Sequence, residues 1–380
     1  MSKPKSLLIV LYYYTPYVSG LSIYAKRIAE GLVKRGHKVT VLTSRHDKKL
    51  PKEEIINGVT ILRRPVALKI GKGVIMPTLP LDIVRIGRQY DYINPMLPMA
   101  EIGPTLYFVP KQKTIVTYIC DLYLGEGIAS RFITSLSLAS MRLALSRAQE
   151  VFALSYDYLR NSKMKRYIPK ATGVYPIIDA DEFKPAKDGA HFFKEVLGID
   201  SKTKKIGFVG RIVYEKGINY LLNSVQYLNK ELSDFKVIIV GDYKNIAGGS
   251  VKDELDMYVK LYPERIIFTG QLSDEDLKRF YTGLDVLVLP SIDPLEAFGM
   301  VQVEAMLCGA PVVTSNLPGV REVVEKTGFG LISKPKDSKD IANKIVEVLT
   351  HAEKYKPSRA KVAKIFSKET PLDTYVKMMR

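Results

Sequence analysis

Two glutamates stand eight positions apart in the chain, Glu296 and Glu304, with Phe298-Gly299 between them. Carboxylates accept hydrogen bonds in pairs, which suits the vicinal hydroxyls of a sugar or a ribose. Gly299 has no Cβ, so a ligand can come close to the backbone there. Residues Val301 to Leu307 read as a helix closed by Gly309 and Pro311, and a helix start favours phosphate or another anion. Upstream, Gly210-Arg211-Ile212-Val213-Tyr214-Glu215-Lys216-Gly217 places an arginine and a lysine at a second helix entrance. Arginine can grip a diphosphate with two N–H groups and lysine can meet it as a point charge. Cations at a helix start otherwise oppose the helix dipole, which weakens a purely structural reading of that loop. The acidic pair has a plain alternative, since acidic residues near a helix start complement the dipole.

Other candidates are weaker. Asp121 ends an apolar run and could assist an acceptor hydroxyl, or could be a helix cap. Asp179-Ala180-Asp181 spells a DxD string, but it stands at an inter-domain linker, and no metal is expected. With four histidines in 380 residues, histidine-based acid–base chemistry is not expected, and His37 reads as a helix-end residue. Cys120 and Cys308 have no metal-ligand spacing and form no disulfide framework, which fits a reducing cytosol.

The elements that must hold these residues come in two similar sets. Ser6 to Tyr13 is a continuous apolar run, read as a buried parallel strand rather than a signal peptide. After the turn-rich Thr15–Gly20, residues Leu21, Tyr24, Ile28 and Leu32 mark one helical face, and Val39 to Thr43 the next strand. Strand, helix and strand with short connections form a βαβ unit. Further strands are expected at Ile115–Ile119 and Val151–Ser155, with Ile168–Tyr175 completing this half; residues 58–110 show no clear pattern. The pattern then restarts. Lys205–Val209, Phe235–Gly241, Ile266–Gly270 and Val286–Leu289 read as strands, and Ile218, Leu221, Leu222, Val225 and Leu228 as a helix face. Ile341, Ile345 and Val348 share a later helix face, and Ile365–Arg380 is expected as a last helix.

The string LPSIDPLEAFGMVQVEAMLCGAPVV, followed by Gly319-Val320-Arg321-Glu322, resembles the Glu-x7-Glu signature of glycosyltransferase family 4. Gly210–Gly217 resembles the family's Gly-Arg-x-x-x-x-Lys-Gly element, and Pro176–Pro185 its linker. The resemblance implies the GT-B fold, two Rossmann-like doubly wound parallel-sheet domains facing across a cleft. Residues 1–185 would form an acceptor-side domain and 186–360 a nucleotide-sugar domain, with 361–380 packing back on the first. It implies a retaining hexosyltransferase using a nucleoside-diphosphate sugar as co-substrate, without cofactor or metal. Arg211, Lys216 and Glu296 would be the catalytic residues. The donor would be bound by these three with Gly20, Gln271, Leu272, Ser291, Ala297, Phe298, Gly299, Met300, Val301 and Glu304. Two departures stand out: many members carry Gly-Gly where this chain has Ser19-Gly20, and Ile119 replaces a common histidine before Cys120-Asp121.

Charge bears on the partner. The chain carries a net charge of +17, and residues 1–185 hold 28 of its 57 basic side chains but only 14 of its 40 acidic ones. Such a half suits an anionic partner, either a phosphorylated sugar or an anionic lipid. No nucleic-acid motif accompanies it. Phe132, Leu136, Ala139 and Leu143, rimmed by Arg131, Arg142 and Arg147, mark either a buried helix or one lying against lipid headgroups, a peripheral membrane contact. Rival readings are a non-catalytic nucleotide-sugar-binding scaffold, a GT-B sugar-nucleotide isomerase, and a dehydrogenase. The last is disfavoured because neither half carries G-x-G-x-x-G.

Overall fold

The computed structural model of the chain describes residues 3–70, 73–123, 127–241 and 252–380. They form two compact units, Met1–Ile177 with Lys368–Arg380, and Ile178–Ser367.

In the first unit the apolar run at the start becomes the strand Ser6–Val10, with Leu7 to Val10 wholly buried. Burial on both faces is what a central parallel strand requires. The sheet runs Ala171–Gly173, Glu150–Ala153, Ile115–Tyr118, Tyr92–Leu97, Ser6–Val10, Lys38–Ser44, Val59–Arg64, Glu53–Ile56. All pairings are parallel except the last, where Asn57 and Gly58, both at positive φ, close a two-residue hairpin. The helix Gly20–Lys34 lays Tyr24, Ala25, Ile28, Ala29 and Leu32 on this sheet.

The C-terminal helix Glu369–Met378 adds Leu372 and Tyr375 to the same core. Tyr375 is fully buried; its hydroxyl donates to Asn94 Oδ1 at 3.0 Å and lies 3.0 Å from Thr117 Oγ1. Burial pushes that hydroxyl up to about 12. Its ring meets Phe152 edge-on at 4.7 Å, and Arg35 pairs with both Glu369 and Asp373.

The second unit has six parallel strands in the order Ile266–Gly270, Phe235–Val240, Lys204–Val209, Val286–Leu289, Val312–Ser315, Gly330–Ser333. This is the doubly wound order in which the third, second and first strands are followed by the fourth, fifth and sixth. The helix Ile218–Glu231 buries Ile218, Leu221, Leu222, Val225 and Leu228, and Ser338–Thr350 buries Ile341, Ile345 and Val348. Strand order reverses between Lys204–Val209 and Val286–Leu289, and ligands in such sheets bind at that reversal, beyond the strands' carboxyl ends.

Several elements differ from the sequence expectation. Residues 58–110 resolve into the hairpin strand Val59–Arg64, the short pair Leu68–Ile70 and Gly73–Ile75, the helix Leu79–Gly87 and the strand Tyr92–Leu97. Ile168–Tyr175 divides between the end of a 3-10 turn, Lys165–Lys170, which contains Pro169, and the strand Ala171–Gly173. Ile365–Arg380 is not one helix. Arg359–Ile365 ends before Phe366, whose ring packs edge-on against Phe298 at 5.7 Å and so keeps this stretch on the second unit. The aspartates of Asp179-Ala180-Asp181 shape a turn: Asp179 Oδ1 accepts the Asp181 N–H at 2.8 Å, and Lys184 pairs with Asp181 at 3.2 Å. Arg359 donates to the Ala180 carbonyl.

Tyr375→Phe removes a buried donor and leaves Asn94 and Thr117 short of a partner, at an expected cost of about 1–2 kcal/mol. Chemical denaturation of the two proteins measures it; equal midpoints would refute the anchoring role.

Candidate functional site

The two loops leaving the reversal of the second sheet are tied together through their backbones. After Lys204–Val209 the chain runs through Arg211 and a 3-10 turn, Tyr214–Lys216, to Gly217 at φ +64, where the helix Ile218–Glu231 begins. A Cβ on Gly217 would lie 2.1 Å from the Pro290 carbonyl oxygen, so the loops touch only because this residue has none. Ile292 N–H donates to the Glu215 carbonyl at 3.0 Å and closes a second link.

This apposition brings two of the candidate residues into contact. Lys216 Nζ forms an ion pair and hydrogen bond with Glu296 Oε2, the two side chains being 19% and 18% exposed. Glu296 is aimed by its own turn, in which Asp293 accepts the N–H of Leu295 at 2.9 Å on its side chain and that of Glu296 at 3.0 Å on its carbonyl. Arg211 is 48% exposed and reaches Glu215 only at 4.0 Å, a loose contact for a guanidinium. It is the more available cation of the pair.

The helix Met300–Cys308 starts at Gly299, which sits at φ +76 with its Cα against Leu289 and Gln302. Gln302 is fully buried and locks this start, donating to the carbonyls of Phe298 at 3.0 Å and Val320 at 3.1 Å. The first N–H groups of a helix have no acceptor within it, so the Met300 and Val301 end supplies donors to an anion. Ala297 and Phe298 are buried, and Val301 packs against the cluster of Leu289, Leu317 and Val320, so here backbone rather than side chains is offered outward. Ser291 is also fully buried, its Oγ without a hydrogen-bond partner, and lies beneath the loop.

Glu304 lies one turn into the helix and is 9% exposed. Tyr281 donates to its Oε2 at 3.2 Å. Burial, and then the Glu304 charge, push the Tyr281 hydroxyl well above its ordinary value. The same two causes push the Cys308 thiol, one turn further on, up to about 12. Nothing in the spacing links Tyr281 to Glu304, 23 positions apart, so this support has no local signal. Gln271 and Leu272 follow Gly270 at the end of the edge strand Ile266–Gly270, two strands away from the lysine and arginine loop. Gln271 is exposed and Leu272 half-buried.

Gly20 and Asp121 belong to the first unit. Gly20 is the exposed first residue of its helix. Ser19 is the cap: its Oγ accepts the Ser22 N–H at 3.2 Å while Ser22 Oγ accepts the Ser19 N–H at 2.8 Å. Asp121 has both carboxylate oxygens engaged, one by the Tyr118 hydroxyl at 2.7 Å and one by the Lys163 N–H at 2.9 Å. It is therefore part of a brace that also joins its N–H to the Tyr158 hydroxyl at 3.1 Å.

Strand order in this sheet reverses between Ser6–Val10 and Tyr92–Leu97, and there Tyr12 donates to Glu101 Oε2 at 2.6 Å while accepting the Ala100 N–H at 2.8 Å. Burial raises the pKa of both groups. A pair 89 positions apart in sequence carries no local signal.

Comparison with known proteins supports the family resemblance of the sequence. Residues 190–364 match the model of the glycosyl transferases group 1, and residues 18–182 that of Glycosyltransferase Family 4. An uncharacterised glycosyltransferase of Methanocaldococcus jannaschii is 28% identical over 368 residues, 90% of this chain and 88% of its own length. A D-inositol 3-phosphate glycosyltransferase of Corynebacterium jeikeium is 28% identical over 353 residues, 85% of this chain and 82% of its own. Among solved structures, sucrose-phosphate synthase of Thermosynechococcus elongatus superposes with a TM-score of 0.76 at 21% identity, covering 98% of each chain. Anabaena HepE in complex with UDP-glucose gives 0.72 at 20%, covering 99% of each. At these identities the structural likeness speaks for the fold, which is GT-B.

Two outcomes test this geometry. Gly217→Ala forces a side chain into the Pro290 carbonyl at a positive φ, for an expected loss of about 1–3 kcal/mol in chemical denaturation. Glu101 has a raised pKa in the folded chain, so its contribution is full below the ordinary value of 4.5 and is lost as pH rises through the folded value. Denaturation midpoints should accordingly fall with rising pH across that window by more in the native protein than in Glu101→Gln. Parallel pH profiles would refute it.

Proposed function

Starting from the fact that the chain belongs to glycosyltransferase family 4, we propose that it is a retaining hexosyltransferase, moving a sugar from a nucleoside diphosphate to an acceptor. The observation that carries this reading is the Lys216–Glu296 pair, set beside Arg211 where strand order reverses in the second sheet. A diphosphate arriving at the Met300 helix start meets Arg211, whose guanidinium is half exposed, and draws the Lys216 ammonium from Glu296. Glu296, released, accepts hydrogen bonds from hydroxyls of the donor sugar, while Glu304 takes those of the ribose. Leu272 and Gln271 border the base through their backbones.

As the bond from the anomeric carbon to the leaving phosphate oxygen breaks, negative charge grows on the diphosphate. Arg211, Lys216 drawn from Glu296 and the helix-start N–H groups then surround the oxygens where that charge develops and stabilise it. These donors take the part a metal plays in other sugar-nucleotide sites, and we assign the reaction no metal or cofactor. Retention of configuration brings the acceptor to the face the diphosphate leaves, so its hydroxyl proton passes to the departing phosphate and no protein nucleophile is required. The excess of basic side chains in residues 1–185 supports an anionic acceptor, a phosphorylated sugar or an anionic lipid. The phosphorylated acceptor named for the Corynebacterium relative supports the same class.

Lys216→Ala and Glu296→Ala should each lower kcat/KM for transfer by about a hundredfold or more, as removal of one preorganised charge partner does elsewhere. Both variants should keep their fold by circular dichroism; transfer at the native rate in either would remove these roles. Thermal unfolding with UDP, GDP, ADP, their sugars and NAD identifies the donor. A nucleotide at ~100 times its Kd adds about 2.7 kcal/mol. Stabilisation by NAD alone would overturn the transferase reading, and stabilisation without any transfer would favour a scaffold.

A further inference from the structure

The helix Ile128–Arg147 of the first unit is inside out. Its packed face buries small polar side chains, Thr134, Ser137 and Ser140, among Leu138, Met141 and Leu145. Ser140 Oγ accepts the Gly103 N–H at 3.0 Å, so close packing against the neighbouring turn joins the burial of Leu138, Met141 and Leu145 in fixing the helix. The large side chains go the other way. Ile128 is 90% exposed, Phe132 69%, Leu136 64% and Leu143 40%. Their spacing, i, i+4, i+8 and i+15, makes one stripe along the helix. An isolated exposed leucine needs no explanation, but a contiguous stripe does.

Charge says what covers it. The helix carries Arg131, Arg142 and Arg147 and no acidic residue. Arg147 holds the adjoining turn, donating to the Val109 carbonyl at 3.2 Å and lying 5.7 Å over the Tyr107 ring, and that turn exposes Tyr107 and Phe108. Across residues 101–170 there are ten basic side chains against five acidic ones. Two copies of this helix would set arginine against arginine with no acidic residue on either helix, so self-association is disfavoured. Among the described residues no helix is long and apolar enough to cross a membrane.

We propose that the Ile128, Phe132, Leu136 and Leu143 stripe docks the protein on an anionic bilayer surface, the helix lying in the interface with its arginines at the phosphate level. This goes beyond the transferase reading and stands whether or not sugar transfer is found.

The chain has no tryptophan, so Phe132→Trp gives a single indole at the centre of the stripe. With vesicles of phosphatidylcholine mixed with phosphatidylglycerol, at low salt, the protein should co-sediment. The indole emission should shift to the blue and be quenched by brominated acyl chains. Phe132→Ser with Leu136→Ser should weaken vesicle binding about tenfold or more. Arg131→Ala and Arg142→Ala should each weaken it about fivefold, and binding to phosphatidylcholine alone should be poorer than to the mixture. All variants should unfold at the native temperature, since the side chains are exposed. Absence of binding to the mixed vesicles, or an indole that is neither shifted nor quenched, would overturn the proposal. So would a concentration-dependent dimer in ultracentrifugation that the double serine variant dissociates.

Discussion

The candidate site depends on one backbone contact, that of Gly217 against the Pro290 carbonyl. Lys216 and Glu296 are 80 positions apart and leave different strands; nothing but the apposition of their loops makes them neighbours. With a side chain at 217 the loops would stand further apart, and the lysine would lose its carboxylate. The Ile292–Glu215 hydrogen bond fixes the register of that contact, so that Lys216, the residue after the accepting Glu215 carbonyl, faces the loop that carries Glu296. The sheet sets where the loops begin, but this contact sets where the charges end.

An ion pair that is about four-fifths buried contributes little net stability, because its attraction is offset by the loss of water around both charges. Its value here is positional. The long lysine side chain is held in one place by its carboxylate partner, and the proposed function has a diphosphate take that partner's place. Glu304 is held differently, by a tyrosine with no charge to exchange, and its environment is buried enough to shift two neighbours. The reversal in the first sheet is closed by the Tyr12–Glu101 hydrogen bond.

What the sequence made legible is what local pattern encodes. The continuous apolar strands of both sheets, the helix faces at Ile218 to Leu228 and Ile341 to Val348, and the glycine-bounded loop around Arg211 and Lys216 all carry their signal within a dozen residues. Tyr92–Leu97 was hidden because Asn94 and Pro95 interrupt its apolar run. Asn94 is tolerated there only because Ile115, Thr117 and Tyr375 satisfy it, and those partners come from distant chain segments. Ser19 reads as a departure from a glycine pair until its reciprocal hydrogen bonds with Ser22 show it capping the helix. Asp121 has each carboxylate oxygen engaged by a group that no spacing rule connects to it.

The helix Ile128–Arg147 shows the limit of periodicity as a guide. A stripe at helical spacing says which side chains share a face, not which way that face turns. Direction is decided by what the opposite face can do. Here the opposite face sets Leu138, Met141 and Leu145 beside small hydroxyl-bearing residues that permit close approach and satisfy a neighbouring backbone N–H, so it takes the interior. A larger apolar face displaced outward costs the folded chain burial it would otherwise have, on the order of 1.5–3 kcal/mol for each large side chain left in water. Four such side chains on one surface are a sizeable forfeited stabilisation, and it is recovered only where something apolar meets them.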